Sequence, residues 1–300
     1  MTAPSPSTER RNPATRDIDV VSPAQRLEMI LGQDAVAVAA AREVIPALAD
    51  LVEAAVDRVR AGGRIHYAGA GASGRLAVLD ATESTPTFGV DPGLIQAHFP
   101  GGPAALTDST IDLEDAADQG RADLAGVTAG DVVIGVSASG STAYVRGALD
   151  AAGRAGALTA LITSNPSAVL AAHAQILIAP DTGAEALTGS TRLKAATAAK
   201  VLLNAFSTAV MIGLGRTYSN LMVGLVASNE KLRERSVAIL REATGSPEEQ
   251  CRATLQQCAG RVPVALAVLL SGVPVTDAEE ALTRGGSVRA ALGLLAGGRR

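Results

Sequence analysis

Two stretches of this 300-residue chain pair glycine with hydroxyl side chains where an apolar run gives way to a helix-like one. In YAGAGASGR (67–75) the glycines fall at 69, 71 and 74 around Ser73. In GVSASGSTAYV (135–145) Ser137, Ser139, Ser141 and Thr142 crowd around a glycine. A strand-to-helix turn of this kind exposes backbone N–H groups at a helix N-terminus, where the dipole favours an anion. Hydroxyls add donors and acceptors, which makes a metal-free cradle for a phosphate monoester. Ser and Thr are also ordinary helix caps, so one such turn says little; two in one sheet favour a sugar phosphate. The spacing of the first turn formally fits G-x-G-x-x-G. It is not the dinucleotide fingerprint, because Ser73 occupies the turn and no acid ends the next strand about 20 residues on.

Carboxylates and cations stand close by in sequence. Glu83 lies in DATESTPTFG (80–89), read as a loop after a short helix, and Glu114 in TIDLEDAADQG (110–120), at or just before a helix start. Such acids are commonly solvated surface groups or caps. An acid and a base serving one sugar would also be placed this way. TGAEALTGSTRLKAATAAK (182–200) adds Glu185, Thr188, Ser190, Thr191, Arg192 and Lys194. That density of hydroxyls and cations suits either a capped helix start or a further anion contact.

The rest of the composition removes other chemistries. The three histidines, His66, His98 and His173, lack metal-ligand spacing, so no metal site is expected. Cys251 and Cys258 would lie about 10 Å apart on a helix, too far for a disulfide, and read as reduced thiols of a cytoplasmic protein. A net charge of -4 without a basic block argues against nucleic acid. The N-terminus is polar and Pro-rich, without a signal-peptide core, and no unbroken apolar run approaches the roughly 18 residues of a membrane span. Hydrophobic residues make up 47% and aromatics 2%, so Ala, Val and Leu must fill a sizeable core.

These residues need a scaffold. Residues 1–20 read as an irregular arm. Ser22-Pro23 caps a helix through AQRLEMILGQ; a second helical stretch opens at Asp34 and breaks at Pro46. The short apolar runs RIHYAGAG, DVVIGVSAS, ALTALITS and AQILIAP then alternate with the helix-like GRLAVLDA, LEDAADQGRADLAG, TAYVRGALDAAGRAG and SAVLAAHA. Strands alternating with helices predict a doubly wound α/β fold, a parallel-sheet αβα sandwich, with ligands at the carboxyl ends of the strands. A long Ala-rich helix runs from about Ser190 to Leu214. From about Ala227 the pattern is all helical, and Ser246, Pro247 and Glu249 form a capping-box spacing. The expected organisation is an arm (1–20), a sugar-phosphate-binding domain with flanking helices (21–245) and a helical module (246–300).

The blocks GAGASGRLAVLDATESTPTFGV, ALTGSTRLKAATAAKVLLNAFSTAVMIGLGRTYSNLMV and SNEKLRERSVAIL closely resemble the N-acetylmuramic acid 6-phosphate etherase family, from about Ser7 to the end. The glycine turns resemble the wider sugar isomerase (SIS) domain family. The resemblance implies an SIS-type catalytic domain and cleavage of the C3 lactyl ether of N-acetylmuramic acid 6-phosphate. The products would be N-acetylglucosamine 6-phosphate and D-lactate. The route would be elimination and then water addition, without metal or redox cofactor, in cell-wall sugar recycling. It implies Glu83 as the acid, Glu114 as the second catalytic glutamate and base, and Ser73, Ser139 and Thr142 as 6-phosphate ligands. Glu185, Ser190 and Lys194 fall in the block assigned to sugar contact. A homodimer with sites near the subunit interface is implied too. The chain departs from the family pattern at Ile111, Asp112 and Ser141. A non-catalytic sugar-phosphate regulator of this ancestry would carry a duplicated unit, and this chain carries one. An aldose–ketose isomerase would not need the DATES block.

Overall fold

A computed structural model describes residues 6–225 and 230–297. Among these the chain forms two compact units. One is built from residues up to Thr82 and from Gly93–Ser207, the other from Glu83–Pro92 and residues from Thr208 on.

The first unit opens with residues that make two short 3-10 turns, Ser7–Glu9 and Pro13–Thr15, rather than an irregular arm. Thr15 donates its hydroxyl to Ala186 O, and Asn12 donates its amide to Ala184 O, so the segment is pinned to the 184–186 loop. Helix α1 (Pro23–Glu43) starts as expected: Ser22 and Gln25 form a capping box, with Pro23 in the first turn. It then runs on through Gly32 and Asp34, whose carboxylate accepts from Thr197 Oγ1 instead of capping a new helix. The break before Pro46 is real, and α2 (Ile45–Arg60) follows.

The sheet has five strands, not the four that the apolar runs mark: β1 (Ile65–Gly69), β2 (Ile95–His98), β3 (Val132–Val136), β4 (Leu158–Ile162) and β5 (Ile176–Ile178). All pair in parallel in the order β2-β1-β3-β4-β5. β2 escapes the sequence pattern because it is a short edge strand, buried only at Ile95. The central strands β1, β3 and β4 are buried along their whole length, the mark of a parallel sheet covered on both faces. Between them lie α3 (Gly71–Phe88), α4 (Gly102–Thr107), α5 (Ala117–Asp123) and α6 (Ala143–Arg154); α7 (Lys194–Gly213) follows the sheet. The SAVLAAHA stretch forms only a 3-10 turn, Val169–His173. Ala68 joins the core with Leu124 of α5's C-terminus and Tyr144 and Val145 of α6. Its neighbour Tyr67 points the other way, edge-on to Phe206 of α7 with ring centroids 6.4 Å apart. The helices therefore cover both faces, because successive strand residues face opposite sides.

Helix α3 is longer than its sequence suggests. Pro86 normally argues for an end nearby, yet the helix continues past it and stops at Gly89, whose N–H bonds Thr85 O at φ 62°. Glu83 is therefore a helix residue and not a loop residue. α7 is by length and composition the one described helix that could cross a membrane, but half of it is buried inside the protein, as a core helix is.

The second unit is helical, with α8 (Glu230–Thr244), α9 (Glu248–Gln257), α10 (Val262–Ser271), α11 (Val275–Gly285) and α12 (Val288–Gly297) around Val237, Leu240, Leu255, Val262 and Leu266. The start of the helical pattern expected at about Ala227 lies outside the described residues. The capping box at Ser246 does not form: Pro247 takes the cap position of α9, and Thr244 Oγ1 accepts from the Ser246 N–H. Cys251 and Cys258 are buried, free thiols.

Candidate active site

The strand order reverses between β1 and β3, since the chain passes from β1 out to β2 and returns on the far side. In open α/β sheets that switch point is where ligands bind, outside the carboxyl ends of the strands. Both glycine-hydroxyl turns leave those ends, one after Gly69 of β1 and one after Val136 of β3, and these residues are register partners. The sheet topology thus brings together two turns that lie about 70 residues apart in sequence.

In the first turn the backbones of Gly69 and Gly74 touch: a Cβ on Gly69 would stand 2.9 Å from Gly74 Cα. Gly71 takes φ +54° and opens α3, with Ser73 in its first turn. In the second turn Ser137 Oγ lies 2.8 Å from Thr142 Oγ1 and accepts from the Gly140 N–H at 3.1 Å. Ser139 Oγ lies 2.9 Å from Ser141 Oγ. Thr142 holds the N-cap position of α6 but makes no side-chain cap bond. The hydroxyls are bonded to one another and to the turn, which leaves the capping explanation without its bond. Asn165 braces the turn by donating to Ser139 O at 2.9 Å.

Glu114 meets the first turn. Its carboxylate lies against Gly71, in the space a Cβ would occupy, and the left-handed φ of +54° favours glycine there. The residue is exposed as a whole, but its carboxyl end is tucked in. Burial pushes its pKa up, the neighbouring Asp112 and Asp115 push the same way, and Arg75 opposes them. Glu114 lines a cavity of about 200 Å³ with Gly71, Arg75, Phe99, Pro100, Ser109, Ile111, Asp112 and Leu113. Two of the family departures, Ile111 and Asp112, are thus wall residues of this cavity. Asp112 Oδ1 accepts from the Glu114 N–H at 3.2 Å and shapes the loop.

Glu83 lies ten residues beyond Ser73 on α3, about 15 Å of helix rise. It is exposed and belongs to the second unit. The third block is organised differently. Glu185 is fully buried and accepts the backbone N–H groups of Lys194 and Ala195 at 2.9 and 3.0 Å, so it caps α7. Burial pushes its pKa up, and those two bonds push it down. Lys194 is buried and donates from Nζ to Gln33 Oε1 at 2.9 Å. Ser190 is half-buried in the loop before α7.

Sequence reasoning missed two features. Asp80, buried on α3, accepts from Tyr67 Oη, Asn204 Nδ2 and Ser207 Oγ at 3.0, 2.6 and 3.0 Å, which ties α3 to β1 and α7. Its sequence signal is an acid that directly follows the apolar run Leu76–Leu79 on α3. His66 and His98, distant in sequence, stack with Nδ1 and Nε2 3.1 Å apart. Among the described residues no group of three or more His, Cys, Asp or Glu side chains is arranged to hold a metal ion.

The chain matches the SIS domain over residues 106–219 and the glucokinase regulatory protein N-terminal SIS domain over residues 47–153. It is 53% identical over 264 residues to an N-acetylmuramic acid 6-phosphate etherase of Thermobifida fusca (strain YX), covering 88% of this chain and 87% of that one. The chain belongs to the N-acetylmuramic acid 6-phosphate etherase family. A family member from Serratia proteamaculans (strain 568) is 44% identical over 95% of this chain and 97% of its own. Among solved structures, a phosphoheptose isomerase from Francisella tularensis superposes with a TM-score of 0.53 at 15% identity, over 64% of this chain and 100% of that one. That likeness is one of fold, and it extends the etherase family's SIS architecture to the sheet described above.

Proposed function

We propose that this chain cleaves the C3 D-lactyl ether of N-acetylmuramic acid 6-phosphate, releasing D-lactate and N-acetylglucosamine 6-phosphate. The observation that carries this is the 53% identity to an etherase over most of both chains. The site supports it, with two hydroxyl-rich turns at the switch point and a glutamate in the adjoining cavity.

The reaction runs on the open-chain aldehyde, whose carbonyl makes the C2 proton removable. Glu114 takes that proton, and Glu83 protonates the C3 ether oxygen. The C3–O bond breaks, a C2–C3 double bond forms and D-lactate leaves. Water then adds at C3 with Glu83's help, and C2 regains a proton. A carboxyl whose pKa is raised is better matched to proton transfer near neutrality, and burial at Gly71 does this for Glu114. Ser73, Ser139 and Thr142 hold the 6-phosphate by hydroxyl and backbone N–H donors. Ser190 contacts the sugar, and Glu185 and Lys194 hold the loop and helix start beside it. Residues 21–245 carry the proposed catalytic and binding groups, and 246–300 supply helices that share a core with α8.

The working form is a homodimer in the cytoplasm. Leu27, Leu31 and Val38, at 60%, 64% and 45% exposure, recur on one side of α1 as an apolar stripe suited to a second copy. Two buried free thiols fit a reducing compartment. The test is D-lactate release from N-acetylmuramic acid 6-phosphate by purified protein. Binding of the sugar phosphate without lactate release sinks the proposal. Mass in solution tests the dimer.

A further inference from the structure

Arg75 is the cation in the wall of the Glu114 cavity. Its guanidinium is held on two sides by backbone: Nε donates to Leu106 O at 2.8 Å and Nη2 to Ala105 O at 3.0 Å. It also lies over the Phe99 ring, 5.2 Å from the centroid. Among the described residues no carboxylate comes within ion-pair distance of it: Glu114 and Asp112 share the cavity, but Asp112 is turned to the Glu114 N–H. A cation fixed by neutral carbonyls keeps its charge for a ligand and loses little side-chain entropy on binding one. Beside it stand apolar groups, Phe99, Pro100, Ile111 and Leu113. The latter two are 37% and 36% exposed, with their side chains near Gly101. At about 30 Å³ per water, the cavity of about 200 Å³ has room for roughly six waters, enough to admit a small ligand group. A lactyl ether group, with one carboxylate and one methyl, fits within it.

The geometry points to Arg75 as the residue that reads the lactyl side chain, its guanidinium on the carboxylate and the apolar wall on the methyl. This rests on the proposed reaction and deepens it, since it separates the substrate from sugar phosphates without the lactyl group. The test compares two ligands on Arg75→Met and Arg75→Lys: N-acetylmuramic acid 6-phosphate, and N-acetylglucosamine 6-phosphate, which keeps the phosphate and lacks the carboxylate. Arg75→Met should weaken the first about ten- to a hundredfold and leave the second unchanged. Arg75→Lys should recover part of the loss. Equal weakening of both ligands, or of neither, overturns the assignment. Should the variants fail to fold, wild-type protein answers with the lactamide analogue of the substrate. It should bind about ten- to a hundredfold more weakly than the acid, and equal binding overturns the idea. Wild-type protein that releases no D-lactate refutes the reaction itself; release with unchanged selectivity refutes only the role of Arg75.

Discussion

Glu114 and Glu185 are the same residue with the same first perturbation, burial that pushes the carboxyl's pKa up. Their surroundings then diverge. Glu185 spends both oxygens on the backbone N–H groups that open α7, donors that an α-helix cannot satisfy internally. Glu114 faces a cavity, against a glycine that leaves room for it. A buried, shifted carboxylate is therefore not in itself a sign of chemistry. What separates the two is whether the oxygens are already committed.

The largest expected effect tests the uncommitted side. Glu114→Gln should lower kcat about 10²–10⁴-fold, as removal of a general acid–base group does, with thermal stability unchanged. Glu83→Gln should lose lactate release to a like extent while still binding sugar phosphate. Turnover near wild type in either variant removes that glutamate from the mechanism. Glu185→Ala is the matching experiment on the committed side. It strands two backbone donors and should cost roughly 2–4 kcal/mol of folding stability, read by urea denaturation. A raised KM with unchanged stability would instead return Glu185 to the sugar.

pH sharpens the contrast next. Glu114's raised pKa places the acid limb of kcat/KM above that of an ordinary glutamate, and Arg75→Met, by removing the opposing cation, should move it higher. A stability effect belongs to the histidine pair. His66 is lowered to about 4 by burial first and by His98 second. The unfolded chain therefore binds the proton more readily, and stability falls as pH drops from about 6.5 to about 4. The loss attributable to His66 is up to about 3 kcal/mol, and His66→Gln should flatten that slope without moving the activity limb. The smallest effect is at the second turn. Thr142→Val removes the hydroxyl bonded to Ser137 and should cost about 0.5–1.5 kcal/mol, seen as severalfold weaker inorganic phosphate binding.

Much of this architecture could be read along the chain. The buried strands β1, β3 and β4 are unbroken apolar runs, because a strand covered on both faces has no polar side to show. The Ser22 cap and the break before Pro46 are local chemistry, set by neighbours three residues away at most. What was misread depends on distant partners. Asp34 looks like a cap until Thr197 bonds it within an uninterrupted helix. β2 exists because β1 offers it an edge.

The sequence alone determined the residue types for the chemistry: hydroxyls beside glycines at strand ends, and glutamates at fixed distances from them. Backbone preferences and hydrophobic burial act over short stretches, so they can be read there. The tertiary structure decided which of those groups are committed. It set two turns side by side by strand order, laid Glu114 on Gly71 beside an unneutralised Arg75, and closed Glu185 onto the start of α7. Those outcomes depend on contacts between segments tens of residues apart, which sequence spacing does not record.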